Sequence, residues 1–167
     1  KVTPAVVNIR AERVRAASRL GPLFEDFFGD LFRAPRAPQS EQSLGSGFII
    51  SAEGIILTNA HVVEGAEQIK VHLPDQRVFP GEVLGLDPKT DVAVLRIKSD
   101  QPLPKTVLGD SERIKVGHWA LAIGNPFGLD STLTVGVVSA TGRANIGIED
   151  YEDFIQTDAS INPGNSG

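Results

Sequence analysis

Apolar residues occur along this chain in short runs, and glycine, proline and polar residues interrupt them at intervals of roughly ten residues. This pattern is typical of strands joined by turns, and it predicts an all-β sandwich or barrel. We find no helical run of core-forming length in the body of the chain. The candidate strands are residues 5–10, 47–51, 55–58, 68–73, 78–86, 91–97, 119–123, 133–140 and 153–156. In the strand at 91–97, apolar and β-branched residues occupy both faces, which predicts that both faces are largely buried.

One segment has a helical pattern instead. Between Leu20 and Phe32, apolar residues recur at a spacing that forms one broad stripe on a helix, and four of the eight phenylalanines of the chain lie there. Residues 33–43 are rich in proline, serine, glutamine and charge, and are interpreted as a flexible loop. Two interpretations of the Phe-rich segment stay open. It is a short helix that packs on its own barrel, or an insertion that docks on another subunit or on an exposed apolar substrate.

Composition removes several classes of function. The net charge of −5 argues against nucleic acid as a partner. The absence of cysteine excludes disulfides, thiolate metal sites and a cysteine nucleophile, and three separated histidines leave few routes to a metal site. No apolar run reaches the roughly 18 residues of a membrane span. The length of 167 residues suits one domain or two small subdomains that share a core.

A serine between glycines, Ser166, lies in the last turn-forming stretch of the chain. Gly164 allows backbone conformations that are closed to other residues, so the N–H groups of Gly164, Asn165 and Ser166 are able to converge on one point. Such N–H groups stabilise the oxyanion that forms when a hydroxyl attacks a carbonyl. The alternative is an ordinary polar turn, since asparagine, proline, glycine and serine are turn residues.

A serine nucleophile needs a base and an orienting acid. His61 follows the apolar run 54–60, where a strand ends and a short turn or helical loop begins, and Asp91 opens the apolar strand at 91–97. Taken singly, a histidine is more often structural than catalytic, and Asp91 is either a turn residue or a charge placed for function, of which the turn residue is favoured. Their order with Ser166, at gaps of 30 and 75 residues, is the His–Asp–Ser order of chymotrypsin-type proteases. His72, in an alternating strand, and His118, in a turn, are interpreted as ordinary strand or surface residues.

Five stretches of the chain resemble the HtrA (Deg) family of trypsin-like serine proteases: Leu44–Ile50, Leu57–Val63, Asp87–Leu95, Ala122–Gly128 and Asp153–Gly167. The resemblance implies a double β-barrel with the active site in the cleft between the barrels. His61 and Asp91 would come from the first barrel, over residues 1–110, and Ser166 from the second, over 111–167. The first barrel would carry the Phe-rich insertion at about 18–43, which is similar to a segment that reaches a neighbouring subunit in some family members.

The resemblance also implies a function. It implies cleavage of peptide bonds in unfolded or damaged proteins in the bacterial periplasm, by homotrimers or larger assemblies, some with chaperone activity. Residues 141–150 match the regulatory loop of the family. No metal or organic cofactor is implied. The alternative is a chaperone or peptide-binding module that holds unfolded chains without cutting them.

The family continues beyond the serine with another glycine, the last strands of the second barrel and one or two PDZ domains, whereas this chain stops at Gly167. Because it also lacks an initial methionine, we expect a processed or trimmed piece. We therefore expect an incomplete second barrel with open strand edges, and poor activity unless a complementary piece is present.

Overall fold

The structure is a computed structural model, and it describes residues 3–13, 41–125, 131–143 and 153–161. Within these ranges the chain is almost entirely strand, so the predicted all-β class is confirmed, and each of the predicted strands overlaps an observed one. The Phe-rich segment, the polar loop up to residue 40 and most of the predicted regulatory loop lie outside the described residues. The prediction of a flexible loop is wrong for residues 41–43, which begin a strand because their backbone pairs with residues 11–13. The elements are β1 Val6–Arg13, β2 Glu41–Ile49, β3 Ile55–Thr58, β4 Gln68–His72, β5 Val78–Pro80, β6 Glu82–Asp87, β7 Val92–Arg96, β8 Trp119–Gly124, β9 Thr132–Arg143, β10 Phe154–Thr157, the helix α1 Ala60–Val63, and the 3-10 helices Thr3–Ala5 and Ser111–Arg113.

The first seven strands form one antiparallel sheet in the order β5-β4-β1-β2-β3-β7-β6. Its two outer strands, β5 and β6, are consecutive in the chain and only Gly81 separates them. The Gly81 N–H donates to the carbonyl of Ile69 at 2.9 Å, and a Cβ at residue 81 would lie 2.9 Å from the Ile69 side chain. The sheet therefore curls back on itself into a barrel, and the single strand predicted at 78–86 is two strands with a corner at this glycine.

The core of this barrel consists of the inward side chains of its strands. Ile9 and Val7 of β1, Ile49 of β2 and Ile56 of β3 are fully buried. The prediction that both faces of the strand at 91–97 are buried is wrong. Ala93, Leu95 and Ile97 are buried, but Val92 is exposed and Val94 only half-buried, because alternate residues of a barrel strand face solvent.

The remaining strands form a smaller antiparallel sheet in the order β10-β9-β8. Along one face of β8 and β9, Leu121 pairs with Val135 and Trp119 with Val137. Trp119, Leu121, Leu133 and Val135 on this face are all more than half exposed; we call these four residues the open sheet face. Within the described part of the chain the second barrel is incomplete, as expected.

A buried polar cluster joins the two sheets. Asn8 Nδ2 of β1 donates to the carbonyl of Asn125, the residue that follows β8, at 2.9 Å. The Asn125 N–H in turn donates to the Ser46 hydroxyl of β2 at 2.7 Å. The Thr58 hydroxyl donates to the Ser46 carbonyl at 2.6 Å. Since all four residues are buried, these bonds fix the end of β8 against the barrel wall.

No helix among the described residues has the length and apolar character needed to cross a membrane.

Candidate active site

The predicted base, His61, lies on α1, which begins directly after β3. Val62 and Val63 of α1 are buried in the barrel core. Val62 lies so close to β2 that a Cβ at Gly45 would be 2.6 Å from its Cγ2 atom. Two buried valines and a glycine without a side chain thus seat α1 against the barrel. The prediction that a strand ends and a short helical loop begins at His61 is confirmed.

The predicted acid, Asp91, reaches the same place through strand pairing. β7 begins directly after Asp91 and pairs antiparallel with β3, Thr58 lying opposite Ala93. The end of β3 and the start of β7 are therefore neighbours, and the Ala60 N–H donates to the Asp91 carbonyl at 3.1 Å. Asp91 adopts a left-handed conformation with φ of 51° at the end of the turn, so it is both a turn residue and a neighbour of α1.

The structure brings the His61 and Asp91 side chains into direct contact. His61 Nδ1 lies 2.7 Å from Asp91 Oδ2, and the His61 backbone N–H donates to Oδ1 at 2.9 Å. One carboxylate thus binds the ring and the backbone of the same histidine. The side chains are only 26% and 18% exposed, respectively, so water competes little for these bonds. A carboxylate at Nδ1 favours the tautomer with its proton there, which leaves Nε2 as the basic nitrogen.

Asn59 is a part of this site that the sequence analysis missed. Its Nδ2 group donates to Asp91 Oδ2 at 3.0 Å and to the Asp91 carbonyl at 3.1 Å. Asparagine directly before a helical turn is normally expected to cap the helix with its side-chain oxygen, but Asn59 makes no such bond. The sequence places Asn59 two residues before His61, and this position predicts a helix cap. It does not predict that the Asn59 amide orients the Asp91 carboxylate.

The predicted nucleophile Ser166 and the predicted oxyanion-hole residues Gly164 and Asn165 lie outside the described residues. The chain that leads to them is described as far as Ile161, and β9 holds it in place. Asp158 Oδ1 accepts from the Val137 N–H at 2.7 Å, and the Thr134 hydroxyl donates to the Ser160 carbonyl at 2.7 Å. The approach to the predicted nucleophile turn is therefore fixed on the second sheet.

The other two histidines lie elsewhere, as predicted. His72 is half-buried on β4; burial, and to a smaller degree the positive charges of Arg10 and Lys70, lower its pKa below the ordinary value. His118 lies in the turn before β8, where its Nδ1 atom accepts from the Lys115 N–H at 3.4 Å.

A histidine held by a carboxylate at the ends of neighbouring barrel strands, with a second antiparallel sheet beside that barrel, is the arrangement of the trypsin-like peptidases. The chain belongs to this family: the family described as "Trypsin-like peptidase domain" matches residues 45–167.

The individual proteins that the chain resembles include a putative serine protease, a DegP-like endoprotease and an HtrA-type protease. The chain is 51% identical over 175 residues to the putative serine protease HhoB of Synechocystis, covering all of this chain and 41% of that protein. It is 50% identical over 184 residues to a probable periplasmic serine endoprotease, DegP-like, of Chlamydia pneumoniae, covering all of this chain and 38% of that protein. The fold matches the HtrA-type protease AlgW with a tripeptide at a TM-score of 0.80 and 46% identity, over 99% of this chain and 46% of that chain. The predicted HtrA resemblance is confirmed, and the chain spans less than half the length of these relatives.

Proposed function

We propose that this protein is a serine endopeptidase whose His61, Asp91 and Ser166 form the catalytic triad. The observation that carries the proposal is the 2.7 Å contact between His61 Nδ1 and Asp91 Oδ2, on a barrel of the trypsin-like family. Similar proteins named as serine endoproteases support the same reaction.

In the proposed mechanism, the Ser166 hydroxyl attacks the carbonyl carbon of the scissile peptide bond while His61 Nε2 takes the hydroxyl proton. The carbonyl π electrons move onto oxygen, and the N–H groups of Gly164 and Ser166, with Asn165 between them, stabilise that oxyanion. Each such donor contributes roughly 3–4 kcal/mol. Collapse of the intermediate breaks the C–N bond, and His61 gives its proton to the leaving amine. Water then repeats the sequence and releases the acyl group.

Asp91 acts on His61 before and during this transfer. Its carboxylate holds the proton on Nδ1, so that Nε2 is basic when the serine approaches, and it stabilises the imidazolium that forms. The two further bonds, from the His61 N–H and from Asn59 Nδ2, fix the plane of the carboxylate and therefore the direction of the ring.

The substrates we propose are unfolded or damaged proteins, and the proposed site of action is the bacterial periplasm. Relatives named as periplasmic serine endoproteases support this location. The homotrimeric or larger assembly, the chaperone activity and the division into 1–110 and 111–167 remain predictions, which rest on the HtrA resemblance.

The test is labelling of the full-length polypeptide that carries this sequence with a fluorophosphonate probe, which reacts with activated serines. We expect labelling of Ser166 and its loss in Ser166→Ala and His61→Ala, while the matched histidine variant His118→Ala labels normally. Labelling that persists at full rate in His61→Ala contradicts the proposed triad.

Digestion of unfolded casein separates cleavage from binding. We expect the parent protein to cut casein and Ser166→Ala to be inactive. Cutting that survives in Ser166→Ala overturns the proposal of a serine endopeptidase with Ser166 as its nucleophile. If both forms protect casein from aggregation and neither cuts it, the protein is a binding module instead.

A further inference from the structure

We infer that Arg13 is a positioning residue for His61, and that its guanidinium holds the base in the orientation that Asp91 and the nucleophile require. Arg13 is the last residue of β1, 48 residues from His61 in sequence. Its Nη2 group donates to the His61 carbonyl at 2.7 Å. The inference rests on the proposed catalytic role of His61 and deepens it.

With the bond from Arg13, both the N–H and the carbonyl group of His61 are hydrogen-bonded to side chains. The N–H of His61 is held by Asp91 Oδ1 at 2.9 Å, and its carbonyl by Arg13 at 2.7 Å. The two peptide groups that flank the His61 Cα are thereby fixed from opposite sides. The direction of the Cα–Cβ bond, and so the path of the ring, follows from the orientation of these groups.

The short helix needs such support. α1 has four residues, and a helix of one turn is not stable on its own internal hydrogen bonds. Asp91 binds the N–H groups at its start, while Arg13 binds a carbonyl further along. A cation near the carbonyl end of a helical turn is also electrostatically favourable. β1 is a suitable base for this contact, because it lies between β2 and β4 in the barrel sheet.

Arg13 is not placed for stability alone. Its Nε atom is buried and has no hydrogen-bond partner in the part of the chain that the structure describes. A buried donor without a partner destabilises the folded state. Proteins tolerate such a loss of stability mainly at functional sites. The unpartnered Nε atom is therefore expected if Arg13 is retained because it orients His61.

The experiment compares three variants in the full-length polypeptide: Arg13→Leu, which removes the donor, Arg13→Lys, which keeps a charged donor, and the control Arg113→Leu at an exposed arginine. With a peptide substrate, we expect Arg13→Leu to lower kcat roughly tenfold to a hundredfold, the range for a small misplacement of a catalytic group. KM should stay within about twofold, since Arg13 does not contact substrate in this proposal. Arg13→Lys should recover most of kcat, and Arg113→Leu should match the parent.

Proton NMR supplies a readout that general destabilisation does not change. The His61 Nδ1 proton, hydrogen-bonded to Asp91, should give a far-downfield resonance in the parent. It should broaden or vanish in Arg13→Leu and return in Arg13→Lys, at temperatures where urea titration shows both variants folded. If Arg13→Leu does not fold, Arg13→Met, which also removes the donor but keeps a long flexible side chain, takes its place, with the same expected results.

Two failures are distinguishable. An unchanged kcat together with an unchanged resonance in Arg13→Leu overturns the role of Arg13, provided that His61→Ala is inactive. Full activity in His61→Ala overturns the proposed triad, and the inference about Arg13 with it.

Discussion

At the scale of single residues, Asp91 has two tasks that the sequence could not separate. Its carboxylate accepts from the ring and backbone of His61 and from Asn59, and its carbonyl accepts from Ala60. It therefore satisfies the N–H groups at the start of α1 as a cap does, and it orients the base at the same time. The left-handed φ of 51° is a conformation that aspartate tolerates better than most residues.

Replacing Asp91 by asparagine separates the two tasks. The amide keeps the shape and one acceptor oxygen, but its NH₂ group favours the wrong imidazole tautomer. We expect kcat/KM to fall by roughly 10⁴-fold. Steady-state kinetics on a peptide substrate check this, with Asp75→Asn, an exposed aspartate paired with Arg77, as the control. A loss smaller than tenfold in Asp91→Asn would show that Asp91 does not orient the base.

The sequence predicted the two ends of the His61–Asp91 contact and missed the residues that support it. Histidine and aspartate carry recognisable chemistry, and their order with a serine is informative. Asn59 and Arg13 act through hydrogen bonds to a carboxylate and to a carbonyl. The Asn59 bond depends on the pairing of β3 with β7, and the Arg13 bond depends on where β1 ends relative to α1. No local pattern in the sequence encodes either arrangement.

At the scale of elements, the packing of α1 on the barrel depends on the close approach of Val62 to Gly45 of β2. Gly45→Ala should destabilise the protein by about 1–3 kcal/mol, because the new Cβ overlaps a stiff β-branched side chain. Urea denaturation measures this loss. In the double variant Gly45→Ala/Val62→Ala the overlap is removed, so we expect a loss smaller than the sum of the two single losses. Additive losses would contradict a direct contact.

The strands were predicted well where alternation or a buried apolar run marks them, as at 55–58 and 68–73. The start of β2 was missed by six residues. β2 begins at Glu41, and β1 pairs with it through Arg13 opposite Glu41. Residues 41–43 are polar, and the pairing of their backbone with β1 makes them part of the strand. The corner at Gly81 was missed for a similar reason, since the curl of the whole sheet determines it.

At the scale of the whole molecule, the buried polar cluster links the two sheets through hydrogen bonds from Asn8 to Asn125 and from Asn125 to Ser46. Asn8→Ala removes the donor to the Asn125 carbonyl and leaves that acceptor buried. We expect a loss of about 1–3 kcal/mol in the free energy of unfolding, measured by urea titration. The control Gln101→Ala, which removes a side-chain amide from an exposed residue, should change the free energy of unfolding little. A loss equal in both variants would show that the cluster does not bind the sheets together.

His72 makes stability depend on pH. Its pKa is lowered in the folded state, first by burial and then by Arg10 and Lys70. The unfolded chain therefore binds a proton at higher pH than the folded one. Stability should be greatest above about pH 6.5 and should fall as pH decreases through the lowered pKa of the folded state.

Thermal unfolding between pH 7.5 and pH 5 measures this effect. His72→Gln should flatten the decline over that interval, whereas His118→Gln should leave it unchanged. The carboxylates whose pKa values are lowered, Asp75 and Glu82 among them, act at more acidic pH and do not interfere. A decline that is the same with and without His72 would refute the assignment.

The open sheet face gives the molecule a built-in optical reporter. Trp119 is the only tryptophan in the sequence, and it is 76% exposed. Its fluorescence should be emitted at the long wavelengths of a hydrated indole and be readily quenched by iodide. Any partner or segment that covers this face will shift the emission of Trp119 to shorter wavelengths and protect the indole from iodide. The fluorescence of this one side chain therefore reports whether the open sheet face is covered.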